Sequence, residues 1–230
     1  IRSCLVGSEM CIRDRGEIGA SFDGDADRLI MVDENGDIVN GDLILTILSK
    51  YLSEVNQLTN NIVVSTVMSN YGFKQAIEKF NFDLIETPVG DKYVAEAMKK
   101  YDAALGGEQS GHIIISDQLP VGDGLVTLIY VLKAMQHFGV ALSDFKREHL
   151  YEYPQKLTNL ELENKLNDEE LEYINQIALD MSIKKDLDGR YLIRNSGTEP
   201  LLRVLVEAKS NEAMEDFSNE LITKINKYLN

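Results

Sequence analysis

Between Asn61 and Phe138, short β-branched runs alternate with stretches of helical period, and this alternation limits the fold more than any other feature of the chain. Residues 61–67 read as a strand, followed by a helix carrying Phe73, Ala76, Ile77 and Phe80. Residues 83–87 read as a second strand, followed by a helix over 92–101. A third strand, 111–116, leads to Asp123, a good N-cap for a long helix whose Leu125, Leu128, Ile129, Leu132 and Met135 fall on one face. Strands separated by helices of this length call for right-handed βαβ crossovers around a mainly parallel sheet. The expected class is α/β, built on a βαβ-type mixed-sheet domain.

The flanks read differently. Residues 18–22 and 29–32 are short strands joined by the polar loop DGDADR. Glu34-Asn35-Gly36-Asp37 then predicts a hairpin turn, with Asn-Gly suited to positive φ. Asp42 is expected to cap a helix through Leu43, Ile44, Ile47, Leu48, Tyr51 and Leu52. After His149 the texture changes, and Pro154 with its polar surroundings marks a boundary. Strands at 157–162, 189–193 and 202–208, a helix through Leu171, Ile174, Ile177 and Met181, and a final helix striped by Met214, Phe217, Leu221, Ile225 and Tyr228 predict a small C-terminal α+β domain.

Charge narrows the partners. Against 23 Lys and Arg stand 38 Asp and Glu, a net −15, which argues against nucleic acid. An anionic substrate must then be gripped by a local cationic cluster working against the global field. No apolar run approaches the ~18 residues of a membrane span, so no membrane partner is expected. Residues 1–15 share no periodicity with the rest and hold both cysteines, Cys4 and Cys11. They read as a non-native, adapter-like segment, with an ordinary loop as the alternative. The Cys-free body suits a reducing cytoplasm.

Three loops carry chemistry. In Asp23-Gly24-Asp25-Ala26-Asp27-Arg28, carboxylates at i, i+2 and i+4 can converge on one hard cation. Mg²⁺ suits oxygen ligands completed by water or phosphate, whereas Zn²⁺ would call for His or Cys. A solvated acidic turn is the plain alternative. An EF-hand fails despite Glu34 at loop position 12, because Arg28 stands at position 6 and strands flank the loop. In Gly106-Gly107-Glu108-Gln109-Ser110-Gly111-His112, glycines bring the backbone close to a ligand, and Glu108 and Ser110 suit vicinal sugar hydroxyls. His112 fits a structural role as well as a ligand role. In Arg194-Asn195-Ser196-Gly197-Thr198-Glu199-Pro200, with Arg203 following, a guanidinium, two hydroxyls and a glycine turn make a phosphate nest, or else an ordinary hairpin connection.

Together these motifs resemble those of the α-D-phosphohexomutase superfamily, from about Gly16 to the C-terminus. The segment Thr87-Pro88-Val89-Gly90-Asp91-Lys92 resembles one that faces the family's active site. The resemblance implies four domains, of which this chain holds a remnant of the second (16–40), the third (41–149) and the fourth (150–230), and lacks the N-terminal ones. It implies Mg²⁺ on Asp23, Asp25 and Asp27, with Arg28 helping with phosphate charge. Glu108, Ser110 and His112 would contact the sugar, and Arg194, Ser196, Gly197, Thr198 and Arg203 would clamp the non-reacting phosphate. Lys92 is a candidate for substrate contact or proton transfer.

GEQSGH is similar to the version in members acting on hexosamine phosphates. The implied reaction is an isomerisation between the 6- and 1-phosphates of glucosamine through a phosphoserine and a 1,6-bisphosphate. Members acting on mannose or glucose phosphates stay as the alternative, as do a dehalogenase-type phosphatase and a non-catalytic sugar-phosphate-binding module. The family's serine lies in the first domain, so the chain alone is expected to be inactive. Oligomeric state is open, with a homodimer of the full-length protein as the candidate. Asn195 stands where many bacterial members have proline. The three loops are expected to close around one hexose phosphate, and residues 18–32, stripped of packing partners, to expose apolar surface.

Overall fold

A computed structural model describes residues 18–197 and 199–229. The adapter-like segment 1–15 and Thr198 of the phosphate loop lie outside the described residues. The chain divides into two compact units, with the boundary between Tyr151 and Glu152.

In the first unit, β1 (Gly19–Phe22), β2 (Leu29–Val32) and β3 (Ile38–Val39) form an antiparallel sheet in that order. The β2–β3 turn closes through Gly36 N–H to Asp33 O at 3.0 Å, and Asp33 Oδ1 accepts from the N–H groups of Asn35 and Asp37. Of Asn35 and Gly36, only Gly36 takes positive φ (+87°), so the hairpin uses a turn followed by one left-handed residue rather than two. Then come α1 (Gly41–Glu54), β4 (Ile62–Thr66), α2 (Tyr71–Lys79), β5 (Asp83–Thr87), α3 (Asp91–Tyr101), β6 (Leu105–Gly107), β7 (Ile113–Ile115), α4 (Gly124–Phe138) and α5 (Leu142–His149).

Strands β4 to β7 form a second sheet in the order β5-β4-β6-β7, parallel except for β7 against β6. Side chains alternate across it, as the period of a strand requires. Val63, Ile113 and Ile115 join Leu43, Ile44, Ile47, Phe73, Val131 and Ala134 of α1, α2 and α4 in one core. Val64 and Ile114 join Val94 and Met98 of α3 in another. Both faces are thus covered, and strands buried on both faces need the apolar runs seen here.

Four expectations change. Helix α1 is capped by Asn40, whose side chain accepts from Leu43 N–H at 3.1 Å. Asp42 lies inside the first turn and is buried. The short strand β6 goes unannounced by residues with little strand propensity, Leu105, Gly106 and Gly107. On α4, the buried residues are Gly124, Thr127, Tyr130, Val131 and Ala134, while Leu125, Ile129 and Leu132 face outward. At the first residue of the helix the backbone comes close, since a β-carbon on Gly124 would stand 2.8 Å from Arg28 O. The segment 18–32 is not stripped of cover either. Leu29 and Met31 are buried in the main core beside α1 and α4, and Val32 is fully buried.

The second unit has β8 (Gln155–Glu161), α6 (Asp168–Lys185), β9 (Gly189–Asn195), β10 (Leu201–Ala208) and α7 (Asn211–Leu229). Its sheet is antiparallel in the order β8-β10-β9. Asn167 and Glu170 form a reciprocal capping box at the start of α6. Ile174, Ala178 and Met181 of α6 and Met214, Phe217, Leu221 and Ile225 of α7 pack with Leu202, Val204 and Val206 of β10 in one core.

Candidate functional site

The acidic loop joins β1 to β2, where Phe22 pairs with Leu29, so the six residues 23–28 must turn within one strand spacing. Ala26 takes φ +59°, a left-handed conformation uncommon for a residue with a β-carbon. Backbone contacts fix the turn. Ala26 N–H donates to Asp23 O at 3.3 Å, Arg28 N–H to Asp23 Oδ1 at 3.2 Å, and Gly124 N–H to Ala26 O at 2.9 Å.

Carboxylate oxygens of Asp23, Asp25 and Asp27 all lie within 4.8 Å of one another. Burial first, then Asp23 and Asp25, push the Asp27 carboxyl above its ordinary value. For Asp23, burial acts upward but is outweighed by the Arg28 N–H, the Asp27 contact and the Arg28 charge, so it sits below its ordinary value. Arg28 Nε lies 3.7 Å from Asp23 and 3.8 Å from Asp27, an ion pair with each, but its single charge cannot balance three acids. Asp27 Oδ1 is buried with no hydrogen-bond partner among the described residues. A crowded oxygen-only set with an unsatisfied buried oxygen fits a hard divalent cation such as Mg²⁺.

The Gly106–His112 loop sits against this one. Leu29 N–H donates to Gly111 O at 3.0 Å, and Arg28 forms an antiparallel bridge with His112. His112 is buried, with Nε2 3.5 Å from Asp27 Oδ2. Gly122 lies flat on its ring, where a β-carbon would stand 2.3 Å from Nε2. Within the loop, Glu108 N–H donates to His112 O and Gly111 N–H to Glu108 O, both at 3.0 Å, with Gly111 at φ +93°. Gly90 N–H donates to Glu108 Oε1 at 3.0 Å, and Ser110 Oγ lies 3.4 Å from Glu108 Oε2. The first unit therefore gathers Asp23, Asp25, Asp27, Arg28, Glu108, Ser110 and His112. Lys92 is not drawn in: its side chain is 75% exposed and lies 3.9 Å from Glu96 on its own helix.

Residues outside the motifs hold the arrangement. Gly41 N–H donates to Gln109 O at 3.0 Å, and a β-carbon at Gly41 would stand 2.0 Å from Glu108 O. Asp42 Oδ2 accepts from Asn70 N–H at 2.8 Å and Gln109 Nε2 at 3.0 Å. Their only sequence signal was a glycine and an acid at a helix start, which capping already explained.

In the second unit, Arg194 and Arg203 stand directly opposite each other in the β9–β10 register. Like charges so placed repel. Arg194 is lowered from its ordinary value by burial first and Arg203 second. Ser196 Oγ and Arg203 Nε are buried without hydrogen-bond partners among the described residues. Gly197 O accepts from Lys165 Nζ at 2.6 Å, a lysine outside the motif. Unpaired donors around a like-charged guanidinium pair suit an oxyanion.

Comparison with known proteins follows these sites. Residues 40–153 match the family model "Phosphoglucomutase/phosphomannomutase, alpha/beta/alpha domain III", and residues 157–224 match "Phosphoglucomutase/phosphomannomutase, C-terminal domain". The chain belongs to this family. Phosphoglucosamine mutase of Streptococcus agalactiae is 49% identical over 207 residues, and that of Bacillus subtilis 44% over 206. These alignments take in 89% and 90% of the chain but 46% of each relative, so the chain spans about half their length.

Among solved structures, an N-acetylglucosamine-phosphate mutase in its product complex superposes with TM-score 0.72 at 22% identity, over 90% of this chain and 48% of that one. A phosphoglucomutase/phosphomannomutase family protein from Burkholderia thailandensis gives 0.75 at 21%, over 100% and 52%. These likenesses extend the phosphohexomutase fold across both units. Membership in this family replaces the dehalogenase-type alternative.

Proposed function

We propose that the full-length protein containing this chain interconverts glucosamine 6-phosphate and glucosamine 1-phosphate in the cytoplasm. The observation that carries the reading is the union of the acidic loop with GEQSGH, through the Arg28–His112 bridge and the Leu29–Gly111 hydrogen bond. The likeness to phosphoglucosamine mutases supports the substrate. We assign 16–40 to the end of the preceding domain, 41–149 to the third and 150–230 to the fourth.

Asp23, Asp25 and Asp27 would hold Mg²⁺, which supplies charge compensation for a phosphoryl group in transfer. Magnesium accompanies GlcNAc-6P in a complex of the related Aspergillus fumigatus N-acetylphosphoglucosamine mutase. Arg28 adds positive charge beside the acids. Glu108 accepts from a sugar hydroxyl while Gly90 N–H fixes its other side, and Ser110 donates or accepts next to it. Arg194, Arg203, Ser196, Gly197 and Thr198 bind the phosphate that does not react. His112 contacts the sugar. Catalysis on this plan is positioning plus electrostatics.

The test is turnover by the full-length protein with Mg²⁺. Glucosamine 6-phosphate is expected to exceed glucose 6-phosphate in kcat/KM by at least tenfold, and the 230-residue chain alone to give none. A reversed preference removes the glucosamine assignment. No turnover of either sugar phosphate removes the mutase assignment.

A further inference from the structure

The outer face of α4 carries Leu125, Ile129 and Leu132 at i, i+4 and i+7, between 44% and 58% exposed. Val121 before the helix and Val140 after it extend the exposed apolar surface at both ends. The next position on the stripe is the uncharged Gln136. A surface helix ordinarily turns charged residues outward, and a continuous apolar stripe marks a surface that something covers.

Two observations say what covers it. The chain matches domain III and the C-terminal domain of its family and spans 46% of the relatives' length, so the greater part of each relative lies outside the match. Ile18, the residue next before β1, lines a cavity of about 370 Å³ together with Leu132, Met135 and Val140. Polypeptide arriving at β1 therefore arrives at the foot of this stripe. We infer that the outer face of α4 is the seat, in the full-length protein, of the rest of the domain that ends in β1–β3. The inference rests on reading this chain as the second half of a longer mutase.

Thiol labelling tests it without using turnover. In a background free of other cysteines, Leu125→Cys and Ile129→Cys are placed in the 230-residue chain and in the full-length protein, with Glu78→Cys on α2 as the reference. Relative to that reference, maleimide labelling is expected to be fast in the 230-residue chain and at least tenfold slower in the full-length protein. Equal relative rates in the two proteins overturn the inference. Labelling of the 230-residue chain that slows as its concentration rises also overturns it, in favour of a second copy. The pair Leu125→Glu and Ile129→Glu guards against local damage. It should leave the Tm of the 230-residue chain unchanged and lower that of the full-length protein, and an equal drop in both counts against the inference. A full-length protein that turns over substrate yet labels equally would remove the docking face and leave the mutase reading standing.

Discussion

Gly41→Ala puts one methyl group where the structure has no room. The added β-carbon would stand 2.0 Å from Glu108 O, 2.9 Å from Gly111 N and 3.0 Å from the Gln109 carbonyl carbon. Ordinary contact needs about 3.5 Å, so α1 and the sugar loop must part by roughly 1.5 Å. All three neighbours are backbone atoms, so no rotamer change relieves the clash. Parting also stretches the Gly41 N–H to Gln109 O hydrogen bond, now 3.0 Å, beyond bonding range. Overpacking of this kind costs about 1–3 kcal/mol and the lost hydrogen bond about 1 kcal/mol. Alanine's better helix propensity returns at most about 1 kcal/mol, leaving a net loss of about 2 kcal/mol. With a urea slope of about 2 kcal/mol per molar, the midpoint of the first unit should fall by about 1 M. The assay is urea unfolding of the 230-residue chain followed by amide exchange, which resolves the two units. An unchanged or raised midpoint in the first unit would refute the claim that α1 and the loop are locked at this contact.

Three further outcomes are expected. Asp27→Asn should stabilise the metal-free first unit, since it relieves crowded carboxylates, and should weaken Mg²⁺ binding by at least tenfold in calorimetry; unchanged affinity would count against the three-acid site. Arg203→Leu should leave the second unit as stable or more stable in phosphate-free buffer and abolish any rise in Tm with inorganic phosphate; a retained rise would separate Arg203 from the anion site. His149 lies against Phe145 and Phe80, and burial first holds it below the ordinary histidine value of 6.5. The unfolded chain therefore takes up a proton that the fold resists, so this stability is present above about pH 6.5 and is lost as pH falls toward the folded value. Urea midpoints at pH 7.5 and 5.5 should differ more for the native chain than for His149→Leu, and equal differences would refute the assignment.

The convergence of the three acids was legible because it is local, and the packing around it was not. DGDADR puts three acids within one short turn whatever the fold, so convergence follows from chain geometry. RNSGTEP was legible as a connection between two strands, but the pairing of Arg194 with Arg203 depends on their register, which no local pattern reports. Strand β6 was illegible because its glycines answer to tertiary contact, pairing with the distant β4 at Val64 and Ser65 and lying tight against other neighbours. A β-carbon on Gly106 would stand 2.5 Å from Met98 Sδ, and one on Gly107 2.6 Å from His112 O. Helix α4 misled for a related reason. Periodicity shows that an apolar stripe exists, but tertiary contact decides which stripe turns inward, and here the close approach of Gly124 to Arg28 and Phe22 sets that choice at the start of the helix. Asp42 was misread because an acid at a helix start satisfies capping rules, while its role of joining Asn70 to Gln109 spans distances no local pattern reports.

The hydrogen bonds joining the acidic and sugar loops bear on how a cation would act. Between backbone atoms, Leu29 N–H joins the acidic hairpin to Gly111 O of the sugar loop, Gly41 N–H of α1 holds Gln109 O, and Gly124 N–H of α4 holds Ala26 O. Such bonds do not depend on whether the carboxylates are ionised, whereas the Arg28 N–H bond to Asp23 Oδ1 does, so the backbone frame of the turn outlasts a change in its charge. Crowding of Asp27 by Asp23 and Asp25 is then a standing electrostatic cost of the folded unit, not one incurred when a ligand arrives. A cation relieves that cost without rearranging the loop. Relief of existing repulsion in a preorganised site favours binding more than the same ligands would on a mobile segment. His112 bears on both loops at once, with its backbone in the bridge to Arg28 and its ring 3.5 Å from Asp27. Displacement of GEQSGH therefore also displaces the acidic turn, and whatever effect a ligand on one loop had on a ligand at the other would be returned in equal measure.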